Sequence, residues 1–94
     1  MMAEKTTRWD AAELLDSDEM IAAYLTAVFE DGDTAEIRRA LGHVARAHGM
    51  STLARETGLT REALYKALGD NGNPTLDTLL KVTKALGVRL SIAA

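Results

Sequence analysis

A chain of 94 residues with 47% hydrophobic content has room for one compact domain and one modest core, not for two. Aromatics at 4% leave that core to Leu, Ala, Ile and Val, which favours packed helices over a large sheet, and zero cysteines remove disulfides and cysteine-ligated zinc together. The net charge of -3 is unevenly spread: residues 1–37 carry ten acidic against two basic side chains, net -8, and residues 38–94 carry nine basic against four acidic, net +5.

The polar opening, residues 1–8, does not resemble a signal peptide, and no apolar run approaches the ~20 residues that span a bilayer. A cytoplasmic protein is expected. Residues 6–9 suit an extended segment, with Trp9 too large to leave in water and expected to fold back onto the body. Residues 10–15 suit a short turn of helix. Ser17 or Asp16 can then cap a helix running to about residue 30, Asp16 and Glu19 having the spacing of a capping box. Met20, Ile21, Tyr24, Leu25, Ala27, Val28 and Phe29 cover more of this helix than one stripe, which suggests burial against its own domain and against a second chain. Met20, Tyr24, Ala27 and Glu30 are the candidates for contact with a basic partner protein.

Gly32 supplies the next turn, and Asp33 with Glu36 suits a second capping box. Ile37, Ala40, Leu41, Val44 and Ala45 should face the core, with Arg38, Arg39, His43 and Arg46 outward and Gly49 ending the helix. Residues 50–68, MSTLARETGLTREALYKAL, then give two short helices joined at Gly58. Residues 69–74, GDNGNP, are the densest loop signal in the chain. Thr75 can cap a last helix with Leu76, Leu79, Leu80, Thr83 and Leu86 as its inner stripe, stopped at Gly87. Val88, Leu90 and Ile92 alternate with Arg89 and Ser91, the period of a half-buried strand. Such a strand needs a partner, either residues 6–9 or the matching strand of a second copy.

The pair of short helices carries the chemistry. A helix-turn-helix needs close approach of its helices, a left-handed turn and apolar anchors from both. Ala54 supplies the small contact, Gly58 the turn, and Leu53, Leu59, Leu64 and Ala67 the anchors. At 100° per residue Ala63, Leu64 and Ala67 gather on one side of the second helix, and Arg61, Glu62, Tyr65 and Lys66 spread over the other. On the outer arc Arg61 suits a guanine edge, Glu62 a cytosine amine, and Lys66 a base or phosphate, while Tyr65 offers a ring face and a hydroxyl. Glu62 and Lys66 also have the spacing of an ordinary i,i+4 salt bridge. Thr52, Asn71, Asn73 and Thr75 are phosphate candidates at helix ends and in a loop, where capping and turn chemistry would select the same residues.

Ala54 and Gly58 at this spacing, followed by Leu59, Thr60, Arg61 and Glu62, resemble phage-repressor-type helix-turn-helix domains. More specifically, LARETGLTREALYKAL followed by GNPTLDTLLKVTKALGVRLSI, preceded by ALGHVARAHGMS and WDAAELLDSDEMIAAYL, resembles the HigA-like addiction-module antidote family over nearly the whole chain. The resemblance implies a five-helix domain, the antitoxin role in a type II toxin–antitoxin module, a co-encoded RelE/ParE-like toxin, and repression of the shared operon. It also implies base-facing roles for Arg61, Glu62 and Lys66. Met50 departs from the pattern, standing where many phage-type repressors have a polar phosphate-contacting residue.

The expected fold is therefore all-α: one five-helix, phage-repressor-like domain, with an acidic segment and helix over residues 1–33, a helix-turn-helix core over 34–87, and a short C-terminal strand over 88–92, a possible partner of an N-terminal strand. The expected partners are operator DNA arranged as an inverted repeat, a small basic toxin and a second copy of the chain. A stand-alone regulator without a toxin is the alternative, and a helix-turn-helix used only for protein contact is a third reading. No catalytic constellation, metal-ligand spacing or cofactor motif is visible; His43 and His48 lack an HExxH context, and GDNGNP does not have the form of a phosphate cradle.

Overall fold

In a computed structural model that describes residues 17–94, five helices follow one another: α1 (Asp18–Asp31), α2 (Thr34–His48), α3 (Met50–Thr57), α4 (Arg61–Leu68) and α5 (Leu76–Ala85). Each start except that of α3 is fixed by a side chain that accepts from an otherwise unpaired backbone N–H. The Ser17 hydroxyl accepts from Met20 N–H at 3.1 Å, the Asp33 carboxylate from Ala35 at 3.0 Å, Thr60 from Ala63 at 3.0 Å and Thr75 from Thr78 at 3.1 Å. Of the two caps open for α1, Ser17 is the one used.

The core lies where α2, α3, α4 and α5 converge. Val44, Ala45, Leu53, Leu64 and Val82 are wholly withdrawn from solvent, and Leu41 nearly so. Ile21 and Leu25 bring α1 onto this cluster, and Tyr24, Val28 and Phe29 pack at its margin. Gly42 lets α2 come close to the end of α4, because a Cβ there would meet the Leu68 carbonyl oxygen at 3.3 Å.

Two expectations about the C-terminal region are corrected. The inner stripe of α5 is rotated from the expected one: Leu79, Val82, Thr83 and Leu86 face inward, whereas Leu76 and Leu80 are 68% and 47% exposed. Val82 takes the centre of the contact, and the buried Thr83 hydroxyl satisfies itself by donating to the Leu79 carbonyl at 3.0 Å. The strand over residues 88–92 is absent, and no strand occurs among the described residues. Val88 N–H donates to Thr83 O and Gly87 N–H to Lys84 O, both at 3.1 Å, with Gly87 in the left-handed region at φ 84°. These two bonds close α5 in a Schellman arrangement, with Val88 buried as its hydrophobic member. Val88 thus serves a helix end; Leu90 and Ile92, 40% and 100% exposed, have no sheet to join. The expectations for Trp9, for a partner strand at residues 6–9 and for a helical turn at residues 10–15 lie outside the described residues.

Candidate nucleic-acid interface

Helices α3 and α4 are eight residues each and are joined through Gly58, Leu59 and Thr60. Eight residues are too few for a stable isolated helix, so both depend on the packing between them. Gly58 ends α3 at φ 79° with its N–H donating to the Ala54 carbonyl at 2.9 Å, the left-handed turn that the spacing predicts. A side chain that the sequence did not mark adds a second tie. The Thr57 hydroxyl donates to Leu53 O at 2.8 Å and accepts from Leu59 N–H at 3.2 Å, bridging helix and turn. A threonine just before the glycine of such a turn is the signal that would have found it.

Leu53 and Leu64 anchor the two helices in the core, and Ala54, Leu59 and Ala67 pack against it. Ala63, expected on the inner side with them, is exposed, and Leu68 takes the inner place instead. Arg61, Glu62, Tyr65 and Lys66 are all exposed on the outer arc. The Arg61 guanidinium lies 5.7 Å from the centroid of the Tyr65 ring, within the range of a cation–π contact, so the two side chains restrain each other before any ligand arrives. Glu62 and Lys66 do not pair with one another in the structure. Neither forms an ion pair among the described residues.

The phosphate candidates divide. Asn71, Asn73 and Thr75 line one groove with Lys66, between the last turns of α4 and the loop that leads into α5. Thr52 lies elsewhere, half-buried on α3 close to Gly49, and does not belong to this group. The Thr75 hydroxyl accepts from Thr78 N–H and contacts the Thr78 hydroxyl at 3.2 Å, so its first role is capping. Met50, at the position where the resemblance calls for a polar residue, is 8% exposed and belongs to the core.

The loop is held from α2. Arg38, expected on the outer face, is half-buried and donates to Asp70 O at 2.6 Å and to Gly72 O at 3.3 Å. Gly72 lies so close to the end of α4 that a Cβ would overlap the Ala67 carbonyl. Its N–H donates back to Gly69 O at 2.9 Å.

Helix α1 presents a second surface. It contains Asp18, Glu19, Glu30 and Asp31 and no basic residue. Met20 is 44% exposed, Ala27 and Glu30 are exposed, and Tyr24 is half-buried. Tyr24 and Ala27 share a shallow groove with Val28, Asp31 and Glu36, between α1 and the start of α2; Met20 and Glu30 are on the same helix outside it. Glu30 and Asp31 sit at the C-terminal end of α1, where the helix dipole disfavours negative charge.

Among the described residues, no group of His, Asp or Glu is placed to hold a metal ion. His43 hydrogen-bonds Arg46 at 3.0 Å and His48 meets Glu56 at 2.8 Å, so each histidine has a neighbour on the protein itself. No helix there is long and apolar enough to cross a membrane.

Comparison with known proteins places the chain. The family model described as probable addiction module antidote protein matches residues 5–94. A protein of Haemophilus influenzae, described as uncharacterized, is 44% identical over 91 residues, which span 97% of this chain and 94% of that one. No solved structure matches. With the family model covering all but the first few residues, the chain belongs to the family of probable addiction module antidote proteins.

Proposed function

We propose that the protein is the antitoxin of a type II toxin–antitoxin module, that it neutralises a RelE/ParE-like toxin, and that it represses its own operon by binding operator DNA. Family membership supports the antitoxin role. The DNA-binding part rests on one observation: α4 is fixed to the core through Leu64 and Leu68 while Arg61, Glu62, Tyr65 and Lys66 all remain exposed on its other side. A helix held in this manner and presenting a fork-shaped donor at its first turn suits the major groove. Lys66, Asn71, Asn73 and Thr75 then border the strand beside it, where they would position the domain on phosphates.

Two such domains related by a two-fold axis would place their α4 helices in successive major grooves ~34 Å apart, so the operator would be an inverted repeat. The acidic α1, with Met20, Tyr24, Ala27 and Glu30, would receive the toxin, a basic partner meeting an acidic face.

The test is direct. The protein is titrated onto a labelled fragment of its own promoter over a series of salt concentrations, alone and with the product of the neighbouring reading frame. Specific binding that weakens with salt, together with a stable complex with a small basic neighbour, supports both parts. DNA binding without a toxin partner would make the protein a stand-alone regulator, and absence of salt-dependent DNA binding would remove the nucleic-acid part altogether.

A further inference from the structure

Asn71 and Asn73 are the only side-chain amides in the chain, which has no other asparagine and no glutamine. Both are exposed in the loop between α4 and α5. The residue that follows each decides its chemistry. Asn73 precedes Pro74, whose ring nitrogen has no hydrogen to give up. Asn71 precedes Gly72, whose backbone N–H is screened by no side chain of its own.

The Gly72 nitrogen can close on the side-chain carbonyl carbon of Asn71. A new N–C bond completes a five-membered succinimide, the bond from that carbon to the amide nitrogen breaks, and the departing NH2 takes the hydrogen of Gly72 and leaves as ammonia. Water then opens the ring. Addition at the side-chain carbonyl gives aspartate, and addition at the backbone carbonyl gives isoaspartate, with the chain running through Cβ. The net change is one water consumed and one ammonia released, without oxidation or reduction.

The fold both requires this dipeptide and guards it. A Cβ at position 72 would overlap the Ala67 carbonyl, so a bulkier residue that slowed ring closure could enter only by displacing the end of α4. The Gly72 N–H is held by Gly69 O at 2.9 Å, and Arg38 grips the carbonyls on either side of Asn71, Asp70 O at 2.6 Å and Gly72 O at 3.3 Å. To reach the Asn71 side chain, the Gly72 nitrogen must leave Gly69 and the peptide must turn, a local opening that Arg38 opposes. We propose that Asn71 is a site of spontaneous deamidation, gated by the grip of Arg38 on the loop. The product places a carboxylate in the groove that Asn71 lines with Lys66 and Thr75, where it repels phosphate and weakens DNA binding. That consequence rests on the proposed DNA role, whereas the modification itself does not.

Ageing of the folded full chain at mildly alkaline pH, beside a sample unfolded in guanidinium chloride, tests this by intact mass and peptide mapping. The expected result is conversion at Asn71 with Asn73 intact, slower in the folded chain than in the unfolded one. Arg38→Ala, shown to be folded by circular dichroism, should speed conversion about tenfold through more frequent opening of the loop. If that variant does not fold, Arg38→Lys, which keeps a single ammonium donor, should age at a rate between the two. Asp31 and Gly32 can close the same ring, but the water lost there is regained on opening, so the mass change reports the loop alone. A folded chain that keeps Asn71 while the unfolded chain converts, equal conversion at Asn73, or an Arg38 variant that ages like wild type overturns the proposal. Asn71→Asp should bind promoter DNA several-fold more weakly than wild type, and more so at low salt. Equal affinity would overturn the consequence for DNA. A wild-type chain that converts at Asn71 yet binds no DNA would leave the modification standing and remove the DNA reading.

Discussion

Arg38, on α2, donates to the carbonyls of Asp70 and Gly72, at 2.6 Å and 3.3 Å, and so fixes the loop that joins α4 to α5. The bonds span more than thirty residues of sequence, and their charged donor is half-buried. Hydrogen bonds to charged groups contribute roughly 1.5 to 3 kcal/mol each before solvent exposure reduces them. Arg38→Ala should therefore lower unfolding stability by about 1 to 3 kcal/mol. Arg38→Lys should recover only part of this, because an ammonium lacks the guanidinium fork. Urea unfolding followed by circular dichroism measures both; a variant with the wild-type midpoint would show that the loop holds itself.

Arg61→Ala should weaken operator binding by about 1 to 3 kcal/mol and relax preference at one base pair in each half-site. Fluorescence titration against a panel of single-base operator variants is the measurement. An unchanged profile across the panel would end the assignment of Arg61 to a base.

Lys66→Ala should act differently from Arg61→Ala. If Lys66 serves the backbone, affinity falls about equally for all sequences and the slope of log affinity against log salt drops by ~1. If its loss changes base preference instead, Lys66 belongs with Arg61 among the base readers.

Leu64 and Leu53 lie at zero exposure and join the two short helices to the rest. Leu64→Ala should cost ~2 to 5 kcal/mol, the range for a leucine removed from a core that cannot collapse around the void. Because α4 has no stability of its own, this variant should lose DNA binding and thermal stability together, whereas Arg61→Ala should lose only the first. Differential scanning calorimetry beside the DNA titration separates the two outcomes.

Reversing the acidic end of α1 probes the proposed toxin face alone. Glu30→Lys together with Asp31→Lys should slow association with a basic toxin, and more so at low salt, where unscreened attraction matters most. DNA affinity should be unchanged or slightly raised. Association rates that do not respond, measured by surface plasmon resonance, would move the toxin contact elsewhere.

Much of this arrangement was legible in the chain because its signals are local. Ser17, Asp33, Thr60 and Thr75 are short oxygen-bearing side chains placed before helical periodicity, and each caps as its position requires. Gly32 and Gly58 stop helices for an equally local reason, a left-handed backbone. Local signals mislead where the outcome depends on distant parts of the chain. Period-2 alternation at Val88, Leu90 and Ile92 is a sound strand signal, but a strand needs a neighbour, and Val88 is committed to closing α5. The choice between Leu80 and Val82 for the core could not come from a stripe of leucines alone, since both phases of α5 are apolar. It follows from how α3 and α5 meet. Arg38 looked like a surface cation because no short-range pattern reveals a carbonyl more than thirty residues away.

Thr57, Gly58 and Thr60 join two helices that would each melt if cut from the domain. The consequence concerns lifetime as much as recognition. A surface made of pieces with no independent stability exists only while the single core beneath it holds, so one proteolytic opening erases it entirely rather than weakening it by degrees. Any partner bound to the folded form, at α4 or at α1, lowers the population of that opening by mass action. Occupancy on one side of the molecule thus becomes persistence for the other, without a hinge or a signal passing between them.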